Sequence, residues 1–213
     1  MIDVLRVFAA LVLGYLLGSL NTAVIVGRLY GKDISKHGSK SAGLTNALRV
    51  LGRAAAAVVL VGDIAKGIAA CLIGLSLGVY VYSGEAKDCV SLLAAGAGAV
   101  MGHNWPVYFA FKGGKGMLTA AAVMLMIDWR MTLISFGFFV IVVALTRYVS
   151  LGTLCAAVFF VAISFLPVFE KTAYFHAFAG LIAVTIIFKH RENIQRLLSG
   201  TENKLSFERK PVL

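Results

Sequence analysis

Residues 112–116 read Lys-Gly-Gly-Lys-Gly, two cations among three glycines, with apolar runs on either side. Successive glycines free their backbone N–H groups to wrap an anion. A helix N-terminus after them adds a favourable dipole, and lysines supply the charge that a phosphate dianion needs. The spacing is not that of a nucleotide P-loop, because position 109 is Phe and Lys115 is followed by Gly116. The competing reading is a flexible turn whose lysines only fix topology.

Two further stretches concentrate polar side chains. "HGSKSAGLTNALRVLG", residues 37–52, brings Ser39, Ser41, Thr45, Asn46 and Arg49 into a short run. Arginine suits bidentate phosphate recognition. The same run could simply cap the next helix, with Thr45 or Asn46 as N-cap, and both roles are compatible. In "KHRENIQRLLSGTENK", residues 189–204, His190 and Asn193 are three apart and share a helix face. Gly200 is placed to terminate that helix, with Thr201 and Glu202 after it. A histidine at a helix end is also commonly just an interfacial residue.

Other chemistries are excluded. None of the four histidines is followed by His-x-x-x-x-Asp, so the common acyltransferase dyad is missing. The aspartate-rich pattern of metal-dependent alcohol phosphotransferases is absent, and no residues have metal-ligand spacing, so neither metal nor cofactor is expected. Cys71, Cys89 and Cys155 read as small packing residues. What remains is a set of phosphate donors poor in acids, bases and nucleophiles.

The elements that must position these residues are membrane helices. Of the 213 residues 60% are hydrophobic and 14% charged, where soluble domains carry roughly a quarter charged residues. About 20 apolar residues at ~1.5 Å rise cross a hydrocarbon core of ~30 Å. We expect an all-α membrane protein, a seven-transmembrane-helix bundle forming one domain over 1–213. Its crossings fall at about 4–27, 52–83, 89–111, 116–127, 131–147, 151–168 and 172–189. The fourth is short for a full span. The second carries Gly62, Asp63, Lys66 and Gly67 in its middle, so a kink or break is expected there, with Asp63 and Lys66 as an intrahelical ion pair. His103 either hydrogen-bonds structurally or reaches the polar loops, and His176 is taken as structural.

Seven crossings put fifteen Lys and Arg residues on the face holding the three polar stretches and four on the other. The positive-inside rule makes the richer face cytoplasmic, with the N-terminus outside and the C-terminus cytoplasmic. The first segment is longer than a signal-peptide core and lacks a cleavage site. The net charge of +10 has no aromatic-interleaved basic domain behind it, so no nucleic-acid partner is expected. Neither a direct nor an inverted repeat is visible, which weighs against an organophosphate transporter using Asp63 and Lys66 as its ion path.

These stretches together resemble the bacterial acyl-phosphate:glycerol-3-phosphate acyltransferases over nearly the whole chain. The matching segments are "GSLNTAVIVGRLYGKDISKHGS" with "TNALRVLG", then "GDIAKG", "GHNWPVYFAFKGGKG", "RYVSLGT" and "KHRENIQRLLSGTENK", in the family's order. After Ser39 the chain departs from the usual Gly-Asn-Pro-Gly-Ala-Thr-Asn, with Ser41 where the family carries Asn, and Met117-Leu118-Thr119 replaces Val-Ala-Thr. The resemblance implies a multi-pass protein of the bacterial cytoplasmic membrane, monomeric, with its active site on the cytoplasmic face. It implies transfer of an acyl chain from acyl phosphate to the 1-hydroxyl of glycerol 3-phosphate, giving lysophosphatidic acid and phosphate, with membrane lipid around it.

On that reading His190, Lys115, Ser39 and Asn193 form the catalytic set. Phosphate binding falls to Lys112, Gly113, Gly114, Lys115, Gly116, Ser39, Thr45, Asn46, Arg49 and Ser150, and glycerol phosphate placement to His190, Asn193 and Glu202. Acyl phosphate is already activated, so positioning and charge stabilisation suffice without a covalent nucleophile. The hydroxyl proton goes to a substrate phosphate oxygen or to His190. The alternatives are an organophosphate transporter, a phosphate-ester binder without activity, or an enzyme taking acyl-carrier protein or coenzyme A directly, docked on Lys32, Lys36 and the tail "ERKPVL".

Overall fold

The computed structural model describes residues 1–205. The whole "ERKPVL" tail, whose Arg209 and Lys210 were counted above with the cytoplasmic cations, lies outside the described residues. Ten α-helices and one hairpin follow one another in these. They are α1 (Ile2–Gly18), α2 (Thr22–Leu29), α3 (Leu44–Leu51), α4 (Arg53–Leu77), β1 (Tyr80–Ser83), β2 (Ala86–Cys89), α5 (Val90–Asn104), α6 (Met117–Ile127), α7 (Trp129–Thr146), α8 (Val149–Ser164), α9 (Ala173–Lys189) and α10 (Arg191–Leu198).

Each of the seven expected segments contains a helix, but with three differences. The first segment is broken at Ser19–Asn21, where Asn21 caps α2 by accepting from the Val24 N–H at 3.1 Å. The second is not broken: α4 runs on as one helix through Gly62–Gly67. Its glycines serve close approach instead. A Cβ on Gly62 would lie 2.6 Å from Thr22 Cγ2, and one on Gly67 3.1 Å from the Thr119 carbonyl oxygen. Nor is the fold purely helical. Gly78, at φ 62°, ends α4, and residues 80–83 pair antiparallel with 86–89. Tyr80 and Tyr82 there stack under the Lys87 ammonium, 4.6 and 5.5 Å from their ring centres, which is β-propensity overriding apolar run length.

Small residues set the central contact. Gly14 and Gly18 of α1 face Ala95 and Ala99 of α5, while Gly98 and Gly102 of α5 face the backbone of Leu11–Tyr15 and Tyr15–Ser19. A Cβ on Gly18 would lie 2.7 Å from Ala99 Cα. Reciprocal small residues four apart let two apolar helices approach to backbone contact, the main source of helix association inside a bilayer. Around this pair the core is filled by Val100, Val123, Met131, Phe160, Phe175 and Ile182. Large apolar side chains also face outward, Leu145 at 81% exposed among them, as lipid contact requires.

By length and apolarity three stretches can cross a bilayer, Ile2–Leu29, Arg53–Leu77 and Trp129–Thr146. Among the described residues a fourth is reached only if α9 and α10, bent by 60°, are counted as one broken span, and α6 and α8 are apolar but shorter. At one end of the bundle Lys171 reaches Asp128 at 2.9 Å and Asp88 at 4.0 Å, and Asp88 accepts from the Thr172 N–H at 2.8 Å. This ties the hairpin, the α6–α7 corner and the start of α9 together. The polar loops gather at the other end.

Candidate active site

The glycine loop lies across the C-terminus of α5. Gly114 N–H donates to the His103 carbonyl at 3.1 Å. A Cβ on Gly113 would lie 2.6 Å from Pro106 Cδ and 2.8 Å from the Asn104 carbonyl oxygen. One on Gly114 would meet His103 Nε2 and lie 2.5 Å from the Ala42 carbonyl oxygen, and one on Gly116 would lie 2.6 Å from Asn104 Oδ1. The glycines are therefore required first by packing. Gly116, at φ 73°, is also the N-cap of α6, a conformation that favours glycine. The first-turn N–H groups of α6 have no intrahelical partners by helix geometry and face the loop's end.

Beneath the loop lies a charged group inside the helices. Asp63 is 1% exposed, and the Lys66 ammonium stands 2.9 Å from Asp63 Oδ1, 2.8 Å from His103 Nδ1 and 3.3 Å from the Leu20 carbonyl oxygen. The expected i,i+3 pair is present, with His103 as a third member. An ammonium only donates, so Nδ1 accepts and the His103 proton sits on Nε2, toward Gly114.

Above it, Lys115 Nζ donates to Asn193 Oδ1. Asn193 Nδ2 donates to Glu202 Oε1 at 2.8 Å, Ser150 Oγ donates to the same oxygen at 2.9 Å, and Arg196 Nε donates to Oε2 at 2.7 Å. The turn after α10 makes this possible. Thr201 N–H donates to the Arg196 carbonyl at 2.8 Å and Gly200 N–H to Leu197 at 3.2 Å, with Gly200 at φ 70°. This Schellman geometry folds residue 202 back onto the helix face. Leu205 N–H then donates to the Arg147 carbonyl at 2.7 Å, closing the segment onto the α7–α8 turn.

Burial pushes the Glu202 carboxyl up, but the hydrogen bonds from Asn193, Arg196 and Ser150 outweigh it and hold the pKa below the ordinary value. Burial, with the nearby Arg196 cation, holds the Lys115 ammonium below its ordinary range. At His190, Nδ1 lies 2.8 Å from the Ile186 carbonyl oxygen. A carbonyl only accepts, so the proton is on Nδ1 and the neutral ring keeps its lone pair on Nε2.

The sequence-predicted residues thus fall into two groups. Lys115, Ser150, Asn193 and Glu202 form one hydrogen-bonded network, with His190 at the head of α10. Ser39, Thr45, Asn46 and Arg49 belong to the α2–α3 loop and α3, which meets the glycine loop where Ala42 abuts Gly114. Asn46 differs from expectation. Its amide accepts from Ser39 N–H at 2.9 Å and donates to the Ile34 and His37 carbonyls at 3.1 and 3.0 Å, so it shapes the loop that presents Ser39 instead of facing a phosphate. Neither Thr45 nor Asn46 caps α3, whose N-cap is Gly43 without a side-chain bond. Lys112 lines a groove with Arg28 and Lys32 and makes no hydrogen bond to the network among the described residues. Sequence reasoning missed Arg196, although it lies three residues from Asn193 on the same face. It also missed Lys189, whose Nζ donates to the Asn104 carbonyl at 2.9 Å over the Trp105 ring.

The chain as a whole is similar to known proteins. The glycerol-3-phosphate acyltransferase family profile matches residues 8–200. A glycerol-3-phosphate acyltransferase of Thermoanaerobacter pseudethanolicus is 40% identical over 195 residues, covering 91% of this chain and 93% of its own. One from Shouchella clausii is 38% identical over 205 residues, covering 95% and 97%. Among solved structures, PlsY (YgiH), an integral membrane glycerol 3-phosphate acyltransferase in its glycerol 3-phosphate form, superposes with a TM-score of 0.82 at 33% identity, covering 94% of this chain and 96% of that one. Its lysophosphatidic acid form gives a TM-score of 0.80.

Proposed function

Because the chain belongs to the glycerol-3-phosphate acyltransferase family, we propose that it moves an acyl group from acyl phosphate to the 1-hydroxyl of glycerol 3-phosphate, releasing lysophosphatidic acid and inorganic phosphate. The observation that carries this is the Lys115–Asn193–Glu202–Ser150 network beside the glycine loop. It consists of donors held in place by one carboxylate that is itself occupied in accepting from three side chains, so it suits positioning and charge stabilisation better than covalent catalysis.

In this mechanism the hydroxyl oxygen of glycerol 3-phosphate bonds to the acyl carbonyl carbon as the carbon–oxygen bond to phosphate breaks. Lys115 and the first-turn N–H groups of α6 stabilise charge on the leaving phosphate. Ser39, Thr45 and Arg49, presented from the α2–α3 loop and α3, hold a substrate phosphate from the other side. A donor of this type is typically worth about 10²–10³ in rate. The hydroxyl proton passes to a substrate phosphate oxygen or to His190 Nε2.

The same reading includes seven crossings of a bacterial cytoplasmic membrane, the N-terminus outside, the C-terminus and active site cytoplasmic, and a monomer. The acyl chain enters sideways between helices from the inner leaflet. The charge asymmetry of the loops supports this topology.

The test is phosphate release from palmitoyl phosphate by purified protein, with and without glycerol 3-phosphate. Release that requires glycerol 3-phosphate and falls by about two orders of magnitude in Lys115→Ala is expected. Folded wild-type protein releasing no phosphate would refute the acyl-phosphate reading. An unchanged acid and basic limb of the pH profile in His190→Gln would assign the proton to the substrate.

A further inference from the structure

A second basic site lies outside the network described above. The stretch following α2 and the turn at Val107–Phe109 enclose a groove of about 610 Å³. Four cations line it, Arg28, Lys32, Lys36 and Lys112, against one acid, Asp33. Asp33 is already engaged, accepting from Ser35 N–H at 3.0 Å and Ser35 Oγ at 2.6 Å, with Lys36 at 3.5 Å. The Arg28 guanidinium lies 5.0 Å over the Phe109 ring, which fixes one wall. The groove is therefore built to be cationic, and its charge is not neutralised within the described residues.

Its sill is apolar. Val24 and Tyr108 line it, and Leu29, next to Arg28 at the end of α2, is 80% exposed. A free phosphate would need the cations but not the sill. The groove also sits at the end of Ile2–Leu29, one of the stretches long and apolar enough to cross a bilayer. Basic residues beside exposed aromatic and aliphatic side chains at the end of a membrane helix match an acidic phospholipid, headgroup on the cations and chains along the helix.

We propose that this groove binds the headgroup of an acidic phospholipid resident in the membrane. The proposal rests on the chain's membrane-spanning character and not on the identity of the acyl donor, so lipid binding and acyl transfer can fail separately.

The test uses the full chain in nanodiscs of phosphatidylcholine containing graded phosphatidylglycerol, with retained lipid counted by native mass spectrometry after extraction. Wild type is expected to retain phosphatidylglycerol in preference to phosphatidylcholine. Lys32→Gln/Lys36→Gln is expected to lose that preference by on the order of fivefold per lysine, while Lys87→Gln, on the β-hairpin, keeps it. Equal retention of the two lipids by wild type would overturn the proposal, as would a double variant of unchanged melting temperature that retains phosphatidylglycerol as before. Displacement of the lipid by millimolar inorganic phosphate alone would reassign the groove to a free anion. A raised KM for acyl phosphate with unchanged lipid retention would reassign it to the donor.

Discussion

The His103 ring lies directly beneath Gly114, with Nε2 where a Cβ on the glycine would stand and Nδ1 2.8 Å from Lys66 Nζ. One histidine thus connects a charged group among the helices to the loop above it. The position of Lys115 depends on this stack, because Gly114 precedes it and donates to the His103 carbonyl.

Gly114→Ala should displace the loop. The added methyl would meet His103 on one side and the Ala42 carbonyl oxygen at 2.5 Å on the other, and backbone does not yield cheaply. We expect at least a tenfold fall in turnover and a destabilisation of about 1–3 kcal/mol. Gly137→Ala, where nothing lies within 4 Å, should leave both unchanged. Steady-state kinetics with thermal unfolding in detergent checks the pair, and full activity in Gly114→Ala would show that the loop does not need this seat.

The charged stack makes its own prediction. Breaking a buried ion pair by removing one partner typically costs about 3–5 kcal/mol, whereas apolar replacement of both can be near neutral. Lys66→Met alone should lower the melting temperature strongly. Asp63→Leu/Lys66→Met should recover most of that loss, yet lose activity because His103 no longer has its ammonium partner. If the double variant is as unstable as the sum of the single ones, the pair is not the unit of stability.

Composition and run length made the helices legible, because apolar runs dictate burial of backbone bonds wherever water is excluded. They overreached at residues 78–83, where run length took a tyrosine-rich strand for the end of a helix. The break expected at Gly62–Gly67 is absent for a related reason: glycine in a helix can mean close approach as well as flexibility, and only the partner's position distinguishes them. At the site, Lys115, Asn193 and Glu202 were singled out by types and spacing and Ser150 by the resemblance, and the structure brings the four into one hydrogen-bonded network. Asn46 was assigned the wrong contacts because an amide's direction is a tertiary property. The α1–α5 contact was readable in the repeated small residues at 14, 18, 95, 98, 99 and 102, had they been tested as a four-residue period.

That contact predicts sensitivity to single methyl groups. A Cβ on Gly98 would lie 2.8 Å from the Tyr15 amide nitrogen, and one on Gly102 2.7 Å from that of Ser19. Gly98→Val should therefore separate α1 from α5 and cost more than the ~1–3 kcal/mol of ordinary overpacking. Gly180→Val, with open space around it, is the matched control. Melting curves of both in one detergent decide it, and equal stability would mean that the helix pair tolerates a wider spacing.

Glu202 gives the stability a pH dependence of known sign. Its hydrogen bonds from Asn193, Arg196 and Ser150 hold its folded-state pKa below the ordinary 4.5. A carboxyl with a depressed folded pKa contributes stability that is fully present above the unfolded value and is lost as pH falls through the folded one. The gap in melting temperature between wild type and Glu202→Gln should thus be constant at neutral pH and close below about 4.5. Activity should respond differently. Gln at 202 can still accept from one partner but not hold Ser150, Asn193 and Arg196 together, so turnover should drop even at pH 7, where the fold persists. A gap that does not begin to narrow as pH falls below about 4.5 would mean that shape, and not the charge on Glu202, secures the C-terminal segment over the site.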